Sequence, residues 1–127
     1  MRDVSHPPLQ QVDLCTVLHA LSDPGRLAIV RALAEHGEYA CGAFEVPVSK
    51  GTLSHHFRVL REAGLTRTRI TGRQRFVSVR WDDLEQRFPG LVDCLLAQLS
   101  APAGVTVHPT AAAREVAEAR RQRRPLR

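Results

Sequence analysis

The sequence predicts a mostly α fold carrying one small β-hairpin, an α+β arrangement in a single domain. Apolar residues recur at helical spacing over four stretches between Leu9 and Leu99. Serine, aspartate or glycine stands where those stretches should start and stop. One segment, Leu65 to Arg80, changes to strand-like alternation about a glycine. The length of 127 residues suits one domain with a modest core. Residues 1–8 read as a flexible arm, 9–100 as the folded domain, and 101–127 as a linker with a basic tail, disordered or partly helical.

The first helix is expected over Leu9–Leu21, where Leu9, Val12, Leu14, Val17, Leu18 and Leu21 fall close to helical spacing. Ser22 or Asp23 can cap a second helix with Pro24 in its first turn, where a missing N–H costs nothing. Leu27, Val30, Leu33 and Ala34 form its stripe, and Gly37 ends it. Ala40–Phe44 is a short apolar piece, expected to be a short helix, and Pro47 limits its continuation.

Ser49 opens the next helix, its hydroxyl placed to accept the N–H of Gly51 or Thr52. Val48 and Leu53 have the spacing of a hydrophobic staple. Leu53, Phe57 and Leu60 make one apolar stripe, and Gly64 suits a left-handed stop. Strands are expected at about 65–70 and 75–80, joined at Thr71-Gly72-Arg73. Asp82 can cap a last helical stretch in which Leu84, Phe88, Leu91, Val92, Leu95, Leu96 and Leu99 are helically spaced, interrupted or restarted at Pro89. Ala101 to Pro109 reads as a linker.

The net charge is +5, and its distribution matters more than its size. Ser49 to Arg80 carries eight cations against Glu62 alone, a net +7. Thr110 to Arg127 carries six arginines and two glutamates, a net +4, which leaves −6 on the rest. A basic block on an acidic body suits a polyanion partner. The block also coincides with a helix, a short helix, a turn and a longer polar-faced helix, followed by a basic hairpin. That order is a winged helix-turn-helix, in which the second helix enters the major groove of duplex DNA.

The expected DNA contacts follow from this placement. Ser49, Lys50, Gly51 and Thr52 open the reading helix with small or basic groups where the helix dipole favours phosphate. Ser54, His55 and Arg58 lie opposite the apolar stripe and offer donors and acceptors to base edges. His56 points about 100° away from His55, so it either contacts phosphate at the flank or closes the seam between helices. Arg67, Arg69, Arg73, Gln74 and Arg75 place the wing on phosphate or in the minor groove.

No nucleophile–base pair, Gly-rich phosphate loop or paired carboxylates stands in the chain, so no enzyme is expected. No cofactor and no metal site is expected either. No run approaches the roughly 18 apolar residues of a membrane span, and the start lacks a signal-peptide layout. The expected location is cytoplasmic. The alternative function is a winged-helix protein-interaction module without specific DNA binding.

LSDPGRLAIVRALAEHGE, then SKGTLSHHFRVLREAGL and a TGRQRFVSV hairpin, resemble the ArsR family of winged-helix repressors over about residues 14–99. The resemblance implies a homodimer built on the first and last helices, Leu9–Leu21 and Phe88–Leu99, and an effector that lowers affinity for an operator. The family's usual sensor sites are incomplete here. Its Cys-x-Cys box corresponds to Glu38–Phe44, which holds Cys41 alone, and its paired Asp/His site on the last helix finds Asp93 but no histidine. Cys15, Cys41 and Cys94 remain as possible sensor thiols, with Cys15 paired to Cys41 or to Cys94, or as small buried hydrophobes.

Overall fold

A computed structural model describes residues 4–45, 48–99 and 106–107. The chain runs α1 (Leu14–Leu21), α2 (Pro24–His36), β1 (Tyr39–Ala40), β2 (Phe44–Glu45), α3 (Lys50–Glu62), β3 (Thr66–Thr71), β4 (Gln74–Val79), α4 (Trp81–Arg87), α5 (Leu91–Ala97) and β5 (Thr106–Val107). β1, β4 and β3 form an antiparallel sheet in that order. This is an α+β winged helix, with the β3–β4 hairpin as its wing.

The first helix is shorter than its apolar period implies. Leu9–Gln11 make one 3-10 turn, and α1 begins only after Asp13. Asp13 is extended (φ −105°, ψ 136°) and its carboxylate accepts the Thr16 N–H at 3.1 Å, so a cap interrupts the stripe. Val12, just before the cap, is buried.

Asp23 caps α2 by accepting the Arg26 N–H at 3.0 Å, with Pro24 at the first helical position. Ile29, Val30 and Leu33 are buried on α2 and pack with Val17, Leu60, Leu65, Val77 and Leu84 in one core.

The short helix expected over Ala40–Phe44 is only a 3-10 turn, Cys41–Ala43, between two strands. Strand pairing claims its flanks. Tyr39 and Ala40 pair with Val77 and Phe76. Phe44 and Glu45 pair with Val107 and Thr106. Part of the segment read as a linker is therefore β5; residues 108–127 lie outside the described residues.

The wing register runs from Thr66↔Val79 to Thr71↔Gln74. Gly72 (φ 60°) occupies the first central position of a two-residue turn, where a positive φ matches the twist of the hairpin. Thr66, Thr68 and Val77 face the core, while Arg67 and Arg69 face out. At the root, Leu65 donates its N–H to Leu60 at 3.0 Å and accepts the Arg80 N–H at 3.0 Å.

That last bond ties the end of the hairpin directly to α4, so the helix starts at Trp81 with Arg80 in the cap position. Asp82 is thus inside the first turn rather than capping it. Asp83, its neighbour, accepts from Arg80 Nε at 3.0 Å. Phe88–Gly90 separate α4 from α5, as Pro89 requires.

Residues 4–8, read from composition as a loose arm, are seated on the wing side. His6 Nε2 accepts the Thr68 N–H at 2.9 Å on the outer edge of β3. The buried Arg80 donates from Nη1 to the Pro7 carbonyl at 2.9 Å.

Candidate nucleic-acid interface

Three features place α3 as a projecting helix. Ser49 is extended and its Oγ accepts the Thr52 N–H at 3.1 Å, which fixes the first turn. Phe57 and Leu60 are buried and Leu53 is half-buried, which anchors one face. Gly64 (φ 87°) stops the helix against Val12, whose Cγ2 would lie 2.6 Å from a Cβ on residue 64. Only a glycine combines that backbone with that contact. Val48 is exposed, so a staple with Leu53 buries little.

The opposite face is open. Ser49, Lys50, Gly51, Thr52, Ser54, His55 and Arg58 are all exposed. A side chain on Gly51 would meet only Ser49 Oγ, at 3.9 Å, so the helix start is low for lack of bulk there. His55 and His56 diverge, their rings 6.4 Å apart and tilted by 44°.

His56 takes the second of the two positions that its geometry allowed. It is buried in the seam between α2 and α3. Its Nδ1 lies 3.3 Å from Arg26 Nη1 and its Nε2 lies 3.8 Å from Asp23 Oδ2. Arg26 also donates from Nε to the Ala20 carbonyl at 2.7 Å, so one guanidinium joins α1, α2 and α3. Burial first, then Arg26 and His55, push the His56 pKa below its ordinary value against the pull of Asp23. A neutral ring can accept from Arg26, which has only donors. Asp23 is held below the usual carboxylate range, first by the Arg26 N–H.

The wing divides into a tip and a base. Arg73, Gln74 and Arg75 are exposed around the turn. Arg67 lies 3.4 Å from Asp83, and Arg69 pairs with Glu38 at 2.7 Å. The positive block counted along the chain is thus partly neutralised by carboxylates from outside it. Glu38 and Asp83 fold onto Arg69, Arg67 and Arg80. Among the described residues of this block, Lys50, Arg58, Arg73 and Arg75 keep exposed charges with no ion-pair partner, two on α3 and two at the wing tip; outside it, the exposed Arg87 at the end of α4 is likewise in no ion pair with a described residue and donates from Nε to the Val12 carbonyl.

The three cysteines are free. Cys15 and Cys94 are exposed, and Cys41 is half-buried with its thiol pushed up by burial. A raised pKa keeps a thiol protonated and slow as a nucleophile. Among the described residues, no group of three or more His, Cys, Asp or Glu is placed to hold a metal ion. No described helix is long and apolar enough to cross a membrane.

His6, Arg26 and Glu38 bear on this face without a site role read from the sequence, and Arg80 enters there only as one cation of the basic block. Each acts through a partner distant in the chain; the local signals are Arg26 in the capping turn of α2 and the i,i+3 pair of Arg80 with Asp83.

Comparison with known proteins agrees with this geometry. The family model described as bacterial regulatory protein, arsR family, matches residues 23–68, which run from the cap of α2 into β3. The HTH-type transcriptional regulator YceK of Bacillus subtilis is 44% identical over 82 residues, 62% of this chain and 82% of that protein. The biofilm growth-associated repressor of Agrobacterium fabrum is 31% identical over 107 residues, 79% of this chain and 87% of that protein. The repressor of the same name in Xylella fastidiosa is 36% identical over 85 residues, 60% of this chain and 74% of that protein. The chain belongs to the arsR family of bacterial regulatory proteins and is a DNA-binding transcriptional regulator.

Proposed function

We propose that this regulator is a repressor that lays α3 in the major groove of an operator and rests its wing tip on the adjacent backbone. The observation that carries the reading is the coincidence of exposed, unpaired cations with the capped end of α3 and the turn of the wing. Lys50, Gly51 and Thr52 approach phosphate beside Ser49, where the helix dipole is favourable. Ser54, His55 and Arg58 read base edges. Arg73, Gln74 and Arg75 hold phosphate or the minor groove.

The working unit is a homodimer. Leu14 and Leu18 are exposed one turn apart on α1, an apolar pair that a second copy would cover. Repression by the named relatives from Agrobacterium and Xylella supports the same role here. An effector that lowers operator affinity belongs to this reading, with Cys15, Cys41 and Cys94 as the thiols to examine first.

The test is fluorescence anisotropy on a duplex selected by the wild-type protein from a random library. Arg73→Ala and Arg75→Ala should each flatten the salt dependence by about 0.9 in log–log slope per protomer, about 1.8 for the dimer. Ser54→Ala or His55→Ala should change the selected sequence. Unchanged slopes together with an unchanged selected sequence would remove this face from DNA. Leu18→Glu should convert the dimer to a monomer in light scattering; an unchanged mass would move the dimer interface off α1.

A further inference from the structure

Arg69 faces outward on β3 and is the kind of residue that would be assigned to phosphate. Its surroundings assign it elsewhere. Nη2 donates to Glu38 Oε1 at 2.7 Å and Nε approaches Oε2 at 3.4 Å, a two-pronged grip on one carboxylate. Nη1 donates to Thr71 Oγ1 at 2.7 Å. The guanidinium carbon lies 4.8 Å from the centre of the Phe76 ring. All three nitrogens and one face of the group are therefore engaged within the protein.

The partners span the sheet. Phe76 is the cross-strand neighbour of Arg69 on β4 and also pairs with Ala40 on β1. Glu38 stands immediately before β1, and its side chain is only 10% exposed. The clasp thus runs from the edge strand, over the central strand, to the chain leaving α2. It lies three residues from Gly72, at the base of the wing tip.

We propose that Arg69 is a wing-positioning residue: gripped by Glu38 across the outer face of the sheet, it sets the angle at which Arg73 and Arg75 meet the duplex. The inference rests on the reading of the wing tip as a backbone contact. A phosphate ligand and a brace make opposite demands of Glu38. If Arg69 bound phosphate, Glu38 would compete for it and repel the DNA, so neutralising Glu38 would strengthen binding. If Arg69 braces the wing, neutralising Glu38 frees the tip and weakens binding.

The experiment measures anisotropy across a salt series for wild type, Glu38→Gln, Arg69→Ala, the double variant and Arg73→Ala, on one selected duplex. Circular dichroism confirms that each variant is folded; both side chains can change on an intact core, and Glu38→Gln keeps the shape. Expected is a three- to tenfold loss of affinity for each of Glu38→Gln and Arg69→Ala, with salt slopes parallel to wild type. The double variant should lose no more than either single change, since the two act as one unit. Tighter binding by Glu38→Gln, a flatter slope for Arg69→Ala, or additive losses would overturn the brace. Arg73→Ala separates this from the reading beneath it. An unflattened slope there takes the wing tip off the backbone, and the brace falls with it; a flattened slope leaves the brace to be judged by its own two variants.

Discussion

Arg26 Nη1 stands 3.3 Å from His56 Nδ1, joining the first turn of α2 to the middle of the reading helix. The same side chain holds the carbonyl of Ala20 at the end of α1. The helix proposed to meet DNA is thus oriented by a polar contact as well as by Phe57 and Leu60. Arg26→Ala leaves the Ala20 carbonyl and the His56 ring without that donor. A loss of about 1–3 kcal/mol is expected, read from urea unfolding. DNA affinity should fall with an unchanged salt slope, since Arg26 touches no phosphate in the proposed complex.

Acid should loosen the same seam and also the seat of residues 4–8 on β3. Burial lowers the pKa of both His6 and His56. Around His6 the charged groups are Arg67, Arg80 and Arg61; around His56 they are Asp23, Arg26 and His55. A histidine with a depressed folded value favours folding when neutral. Its contribution is complete above the ordinary value of about 6.5 and is lost as pH falls through the folded values. Stability should therefore decline from about pH 6.5 downward, and a His6→Gln, His56→Gln double variant should show a flatter profile over that window. Asp23, also depressed, adds a separate loss that begins only in the carboxylate range. Urea midpoints at several pH values check both signs.

Gly64→Ala is expected to be severe. The new methyl would meet Val12 Cγ2 at 2.6 Å on a backbone with φ 87°. Left-handed strain and overpacking each cost about 1–3 kcal/mol. The combined effect should lower the melting temperature by more than 10 °C in a domain of this size. Adding Val12→Ala should restore part of it, because the clash term disappears while the strain remains.

Ser49 separates helix stability from DNA binding. Ser49→Ala removes the acceptor of the Thr52 N–H and should cost about 1 kcal/mol. Ser49→Asp keeps an acceptor and favours the positive end of the helix, so stability should hold. The added negative charge faces the position proposed for phosphate, so affinity should drop by tenfold or more. Differential scanning fluorimetry and anisotropy on the same samples distinguish the two effects.

The elements legible in the sequence were those written in local signals. Ser49, the Phe57/Leu60 stripe and Gly64 define α3 within a few residues of one another. Asp23 and Pro24 define the start of α2 in the same way. The misread boundaries involve competition between signals. Asp13 cuts a helix that the apolar period alone would carry through, and Arg80 is claimed by Leu65 before Asp82 can cap. The short strand β1 holds only two residues, too few for any period, and exists because Val77 and Phe76 offer it partners. Charge counting located the basic face but overstated it. Glu38 and Asp83 lie 31 and 16 residues from the arginines they meet, Arg69 and Arg67, and no linear count sees that distance close.

Leu65 accepts the chain from α3 and, through its carbonyl, the chain returning to α4. α3 and the hairpin therefore share one root; β1 and the Arg69–Glu38 clasp hold the hairpin again at its middle pairs, and beyond them it extends as a short cantilever whose free end is Gly72. A lever of this kind has its stiffness set near the clamp and its displacement greatest at the tip. Only the pairs Ile70↔Arg75 and Thr71↔Gln74 lie beyond the clasp, so the overhang is short and a small change at Arg69 or Glu38 is carried directly to Gly72.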